Sequence, residues 1–266
     1  MKLEVLLSVM NLNIKDLDKM NITTKCTVIN QSKIEGFKKY KNFNIYSYKE
    51  KGLANSRNRG LEHITEDIAI LCDDDVVYNN EYDKIIINEF KNNKKADVII
   101  FNIDSPNRKI KQNKKNKRLH FYNVLRYSSQ RIAFRRKSIK KIYFNNQFGA
   151  GAKYTSGEDT LFLVSCMKNK LKIYASTKNI GTVNHEKSSW FTGYNEKYFY
   201  DKGALFTAIS IPLRKILILQ YLLRHKETLT QLNFKEAHKM MKKGSNDFLF
   251  EKMWLNEKGK YYYSSI

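Results

Sequence analysis

Three carboxylates in a row, Asp73, Asp74 and Asp75, close the apolar run "IAILC" in a chain whose formal net charge is +23. Successive side chains of an extended segment point to opposite sides, so Asp73 and Asp75 share one side and Asp74 points away. Neighbouring carboxylates repel, by about 1 kcal/mol at 4 Å even in water, and a divalent cation relieves that strain. An all-oxygen donor set favours magnesium or manganese over zinc. A second acidic pair, Glu158 and Asp159 in "SGEDTLF", stands at the predicted start of a helix, just after the glycine-rich "FGAGAKYTSG". Acidic residues in a first helical turn complement the helix dipole, which alone accounts for one of the two. Taken with the upstream Asp cluster, the pair reads as a general base facing a metal site. By itself the Asp triplet is equally a solvated acidic turn.

Such groups need a scaffold that brings positions far apart in sequence to one edge. Apolar, β-branched runs at Leu3 to Val9, Cys26 to Ile29, Asn44 to Tyr48, Ile68 to Cys72 and Asp97 to Phe101 read as strands. Between the third and fourth, "LANSRNRGLEHIT" places Leu53, Arg57, Leu61 and Ile64 on one helical face, and "YNNEYDKIIINEFKNN" supplies a second helix. Runs apolar on both faces, such as "VLLSV" and "DVIIF", suit a mainly parallel, doubly wound sheet covered by helices on each side. In such sheets ligands bind beyond the carboxyl ends of the strands, where Asp73 to Asp75 stand. "GxGxxG" is missing, so a dinucleotide site gains no support. Residues 131–141 read as a short strand and a helix start at Ser138, and residues 107–119, with seven basic and no acidic side chains, as a surface loop with an anion-facing edge as the functional alternative.

Lys and Arg number 49 against 26 Asp and Glu, which attracts phosphates, nucleic acid or an anionic bilayer. The three cysteines, Cys26, Cys72 and Cys166, form no CxxC pair and leave an odd count, so neither a zinc site nor a disulfide framework is suggested and a cytoplasmic setting is expected. "MKLEVLLSVMNLN" reads as a first strand and not as a signal peptide. The most apolar stretch, residues 203–223, is broken by Arg214 and Lys215, which disfavours spanning a membrane but allows lying on one. Packing of that segment on the catalytic domain is the plainer alternative.

The set "GLANSRNRGLEHITEDIAILCDDDVVY", "FGAGAKYTSGEDTLFL" and "NHE", in this order over residues 1–190, resembles the family 2 glycosyltransferases of bacterial surface polysaccharide and capsule assembly. The resemblance implies a GT-A type α/β fold at 1–190, with a nucleotide-sugar half at 1–105 and an acceptor half at 106–190, followed by a helical basic extension at 191–266. It implies an inverting hexosyltransferase whose DxD holds Mn2+ or Mg2+ on a nucleotide-sugar diphosphate. Asp75 is then the metal ligand, Asp73 faces the metal or the ribose, and Asp74 joins the donor site. Asp159 is the base that deprotonates the acceptor hydroxyl, with Glu158 assisting or substituting, and His185 approaches the diphosphate or metal. Arg57 is expected at base or phosphate, and Ser8, Asn11 and Asn30 beside the base. Amides serve both edges of a uracil, so a UDP-sugar is expected. The strand ends "SVMN" and "INQ" depart from the family's usual proline-threonine and acidic residue, which leaves the base open. The expected acceptor is a glycan or lipid-diphosphate-linked oligosaccharide, without nucleic acid, at the inner face of an anionic membrane. A nucleic-acid-binding protein would explain the charge but not "DDD" and "GED", and a metal-dependent phosphoesterase would call for further acidic or histidine ligands.

Overall fold

The computed structural model describes residues 1–184 and 191–257 of the 266. The chain divides into two units, Met1–Asn146 with Glu158–Ser188 and Gln147–Gly157 with Ser189–Ile266.

The first unit is built on one mixed sheet. Its strands are β1 (Leu3–Met10), β2 (Lys25–Gln31), β3 (Gly36–Tyr40), β4 (Phe43–Tyr48), β5 (Ile68–Asp73), β6 (Val76–Tyr78), β7 (Val98–Asp104), β8 (Lys117–Arg118), β9 (Ile132–Arg135) and β10 (Ile173–Val183). They run in the order β3-β4-β2-β1-β5-β9-β7-β10-β6, and β8 also pairs with β10. β4, β2, β1 and β5 are mutually parallel, as expected where strands such as β1 and β5 are apolar on both faces. β9 runs against both β5 and β7 in the middle of the sheet. Its first residues therefore reach the edge where β5 ends.

The helices are α1 (Ile14–Leu17), α2 (Leu53–His63), α3 (Tyr82–Asn92), α4 (Phe121–Val124) and α5 (Glu158–Lys168) in this unit, then α6 (Glu196–Ile209), α7 (Arg214–Arg224) and α8 (Phe234–Glu257). Tyr82, Ile86 and Phe90 of α3 pack with Leu3, Val5, Leu7, Cys72 and Ile99 on one face of the sheet. On the other face Phe162 of α5 stacks on Phe144 and meets Phe134 of β9. The face of α2 turned inward differs from the expected Leu53, Arg57, Leu61 and Ile64. Ala54, Ser56, Arg57 and Gly60 are buried within the helix, while Leu53 and Leu61 are only half-buried. The helix lies so close to β1 that a Cβ on Gly60 would come within 2.6 Å of Leu6, and small residues take that line.

One further expectation is corrected and another is refined. Residues 136–138 form a single 3-10 turn after β9 and no helix starts at Ser138, whose hydroxyl instead donates to Asp97 (2.6 Å). The basic stretch 107–119 is anchored at its centre by buried Asn113. The Asn113 side chain donates to the carbonyls of Ile100 and Ser176 and accepts from the Tyr127 hydroxyl. Its lysines and arginines remain exposed.

In the second unit α6 and α8 cross at a pair of glycines. A Cβ on Gly203 would lie 1.9 Å from the Met241 carbonyl oxygen, and one on Gly244 2.0 Å from that of Tyr200. Thr207 bonds to Ser245 beside this crossing (2.7 Å).

Candidate active site

β5 ends at Asp73, and Asp74 and Asp75 form the turn into β6, which crosses over to pair with the end of β10. That crossover carries the acidic turn along the carboxyl edge of the sheet. The Asn184 N–H donates to the Asp75 carbonyl (2.9 Å), so β10 leaves the sheet directly beside Asp75. His185 follows at once in the chain and lies outside the described residues.

A buried polar network joins this edge to the start of α5. Arg57, only 1% exposed, donates from Nη1 to Glu158 (3.0 Å) and from Nη2 to Asp73 (3.0 Å) and the Ser129 hydroxyl (2.7 Å). The Ser129 hydroxyl passes its own hydrogen to the other oxygen of Asp73 (3.2 Å), which also accepts from the Gln130 amide (2.7 Å). The backbone N–H of Ser129 donates to Asp159 (3.1 Å), and the Thr160 N–H holds the second Asp159 oxygen (2.9 Å). Ser129 thus links the two acidic motifs through a single residue. It can do so because β9 begins at the edge where β5 finishes.

Arg57 corrects the expectation of a base or phosphate contact. Its guanidinium is sealed from solvent beside Phe144 and serves as counter-ion inside the protein. Burial works against its charge, but Asp73, Glu158 and Asp159 outweigh that and raise its pKa. Glu158 likewise is held as the partner of Arg57 and not as a second base. Asp73 accepts from Ser129 and Gln130 on one oxygen and from Arg57 on the other, and that second oxygen has room for one more partner. Asn30, expected beside the base, is spent internally: its oxygen accepts from the Leu12 N–H (3.0 Å) and its amide donates to Ser47 (3.1 Å). Ser8 lies at the end of β1 opposite Asp73 in register, buried, with its hydroxyl unbonded among the described residues. Asn11 follows β1 in the left-handed conformation (φ 53°) with an exposed side chain.

Asp159 is half-buried at the first turn of α5. Burial, then the charge of Glu158, pushes its pKa up to about 7, although Arg57 pulls the other way. Half-buried Asp75 is also raised to about 7, by burial and by the charges of Asp73 and Asp74, while Asp74 is exposed. Among the described residues no three His, Cys, Asp or Glu side chains are grouped to hold a metal ion. The crowding of anionic charge at Asp75 nevertheless fits a divalent cation, because Mg2+-type ions commonly use one or two carboxylates and complete their shell with substrate phosphates and water.

The sheet with this acidic edge matches GT-A glycosyltransferase structures. S. aureus TarS 1-349 in complex with UDP-GlcNAc aligns with a TM-score of 0.64 at 15% identity, over 100% of this chain and 94% of that one. The same fragment in complex with UDP gives 0.61 at 15% identity with the same coverage. Against the longer S. aureus TarS chain the TM-score is 0.62, again at 15% identity, and this chain spans 57% of its length. A search of curated proteins by sequence finds no match. The model of glycosyl transferase family 2 matches residues 28–161, and the chain belongs to that family. It is a glycosyltransferase.

Proposed function

We propose that the protein is an inverting, metal-dependent transferase that moves a hexose from a UDP-sugar to a hydroxyl of a surface glycan or lipid-linked oligosaccharide, working peripherally at the inner face of an anionic membrane. The observation that carries this reading is Ser129, whose N–H and hydroxyl tie Asp159 and Asp73 together at the carboxyl edge of the sheet. In this reading Asp159 accepts the proton of the acceptor hydroxyl as that oxygen bonds to the anomeric carbon. The bond from that carbon to the diphosphate oxygen breaks on the opposite side, and configuration inverts. A carboxylate titrating near neutrality suits the role, since a substantial share of it is ionised there and it is basic enough to take up a proton. Arg57 holds Asp73 and Glu158 in place, and Ser129 orients Asp159. A divalent cation, Mn2+ or Mg2+, would be held by Asp75, with Asp73 and His185 as further ligands and Asp74 at the donor, and would offset charge on the departing diphosphate. Ser8 and Asn11 are the groups assigned to the nucleoside. The UDP bound by the TarS fragment supports the choice of base, and the TarS complex with UDP-GlcNAc supports a sugar nucleotide as donor.

A thermal-shift panel of nucleoside diphosphates with and without Mn2+ tests the proposal. Uridine diphosphate is expected to stabilise the protein only with metal, and Asp75→Ala to remove that shift. Equal stabilisation by every nucleotide, or by none, would overturn the donor assignment.

A further inference from the structure

α7 carries an apolar face that the rest of its unit leaves open. Leu213, Ile216, Leu219 and Leu223 are 42, 63, 47 and 55% exposed, while Ile218 and Leu222 are buried. Spacings of three, three and four residues align the four on one side of the helix. A lone exposed leucine is ordinary, whereas a contiguous row marks a contact surface. Lys215, Arg224 and Lys226 flank the row and are themselves exposed. Among the described residues none of the three pairs with a carboxylate, and Glu227 is taken by His225.

We propose that this face docks on an anionic bilayer, with α7 lying in the plane of the interface, its leucines among the acyl chains and the three flanking cations on lipid phosphates. Charge complementarity selects this occupant. A second copy of the chain, packed face to face, would set each Lys215, Arg224 and Lys226 against those of its mate. A nucleic acid would meet the cations and leave the leucines in water. No helix among the described residues is long and apolar enough to cross a membrane, so the contact is one of lying on the surface. The inference rests on the reading that the acceptor is presented at a membrane, and it assigns the surface that reaches it.

The test is flotation of the full chain with vesicles of phosphatidylcholine alone or with about a third phosphatidylglycerol. Binding is expected only to the anionic vesicles and should fall as salt is raised. Ile216→Glu with Leu223→Glu should weaken it at least about tenfold, and each of Lys215→Gln, Arg224→Gln and Lys226→Gln about fivefold. These side chains are exposed, and an unchanged circular dichroism spectrum and melting curve check that the variants fold. Equal binding to neutral and anionic vesicles, or full binding by the double glutamate variant, overturns the proposal. So does a wild-type dimer in light scattering that the same variant turns into a monomer. Vesicle binding without a uridine diphosphate shift would keep the docking face and discard the proposed donor, whereas the shift without vesicle binding would do the reverse.

Discussion

Replacing Arg57 with methionine keeps an unbranched stem but deletes the cation that Asp73 and Glu158 share, along with its contact over Phe144. The guanidinium is 1% exposed and Glu158 9%, so water cannot take over its role. Removing one partner of a buried ion pair costs about 3 to 5 kcal/mol, because the other charge is left stranded. In a unit of this size each kcal/mol corresponds to about 2 to 4 °C in Tm, so Arg57→Met should lower it by roughly 6 to 20 °C. The same change acts on chemistry. Arg57 holds the Asp159 pKa down and Glu158 holds it up. A base must be ionised to act, so kcat/KM rises with pH through that pKa. Arg57→Met should move the rising limb to higher pH, and Glu158→Gln to lower pH. The double variant should recover part of the lost Tm, since the stranded glutamate is gone. Scanning calorimetry and pH profiles with a soluble acceptor measure both effects. A Tm change under about 2 °C for Arg57→Met, or limbs that move in the same direction for the two single variants, would refute the account of the network.

For the unmodified protein, kcat/KM should climb with pH through a midpoint at about 7 and level off roughly one unit higher, as Asp159 becomes fully ionised. Asp159→Asn should retain the metal-dependent nucleotide shift while transfer drops by about 10²-fold to 10⁴-fold, as steady-state rates and thermal shift together would show. Gly203→Ala and Gly244→Ala should each destabilise the second unit by about 1 to 3 kcal/mol, measured by chemical denaturation, since neither Cβ has room against the facing backbone carbonyl. Asn113→Ala leaves the Ile100 and Ser176 carbonyls and the Tyr127 hydroxyl without their partner. Amide exchange through residues 105–116 should then accelerate, with about 1 to 3 kcal/mol lost overall.

The parallel part of the sheet was legible in the sequence because β1, β2, β5 and β7 are largely buried on both faces and lie where apolar runs occur, while β4 showed itself by alternation. β3 was not, being exposed along nearly its whole length and therefore without a hydrophobic pattern. The segment "RIAF" announced a short strand, but nothing local reveals that it runs antiparallel between β5 and β7, because direction is set by partners distant in sequence. The site shows the same division. Asp73, Asp75, Glu158, Asp159 and Arg57 stood out by type and spacing, yet whether an arginine faces solvent or a buried carboxylate depends on tertiary packing. Ser129 and Gln130 were missed altogether. "YSSQR" is an unremarkable polar run, and its one available signal was its position immediately before a strand.

The central antiparallel strand also bears on synthesis. Until residue 135 has emerged, β5 presents a bare edge, and β7 has neither of the neighbours it will later bond, since β9 and β10 come after it in the chain. Open edges of apolar strands are templates for pairing with other molecules. A nascent or truncated chain ending near residue 128 is therefore a candidate for aggregation rather than a foldable half-domain, and the gap at the middle of the sheet closes only once Ile132–Arg135 has been made.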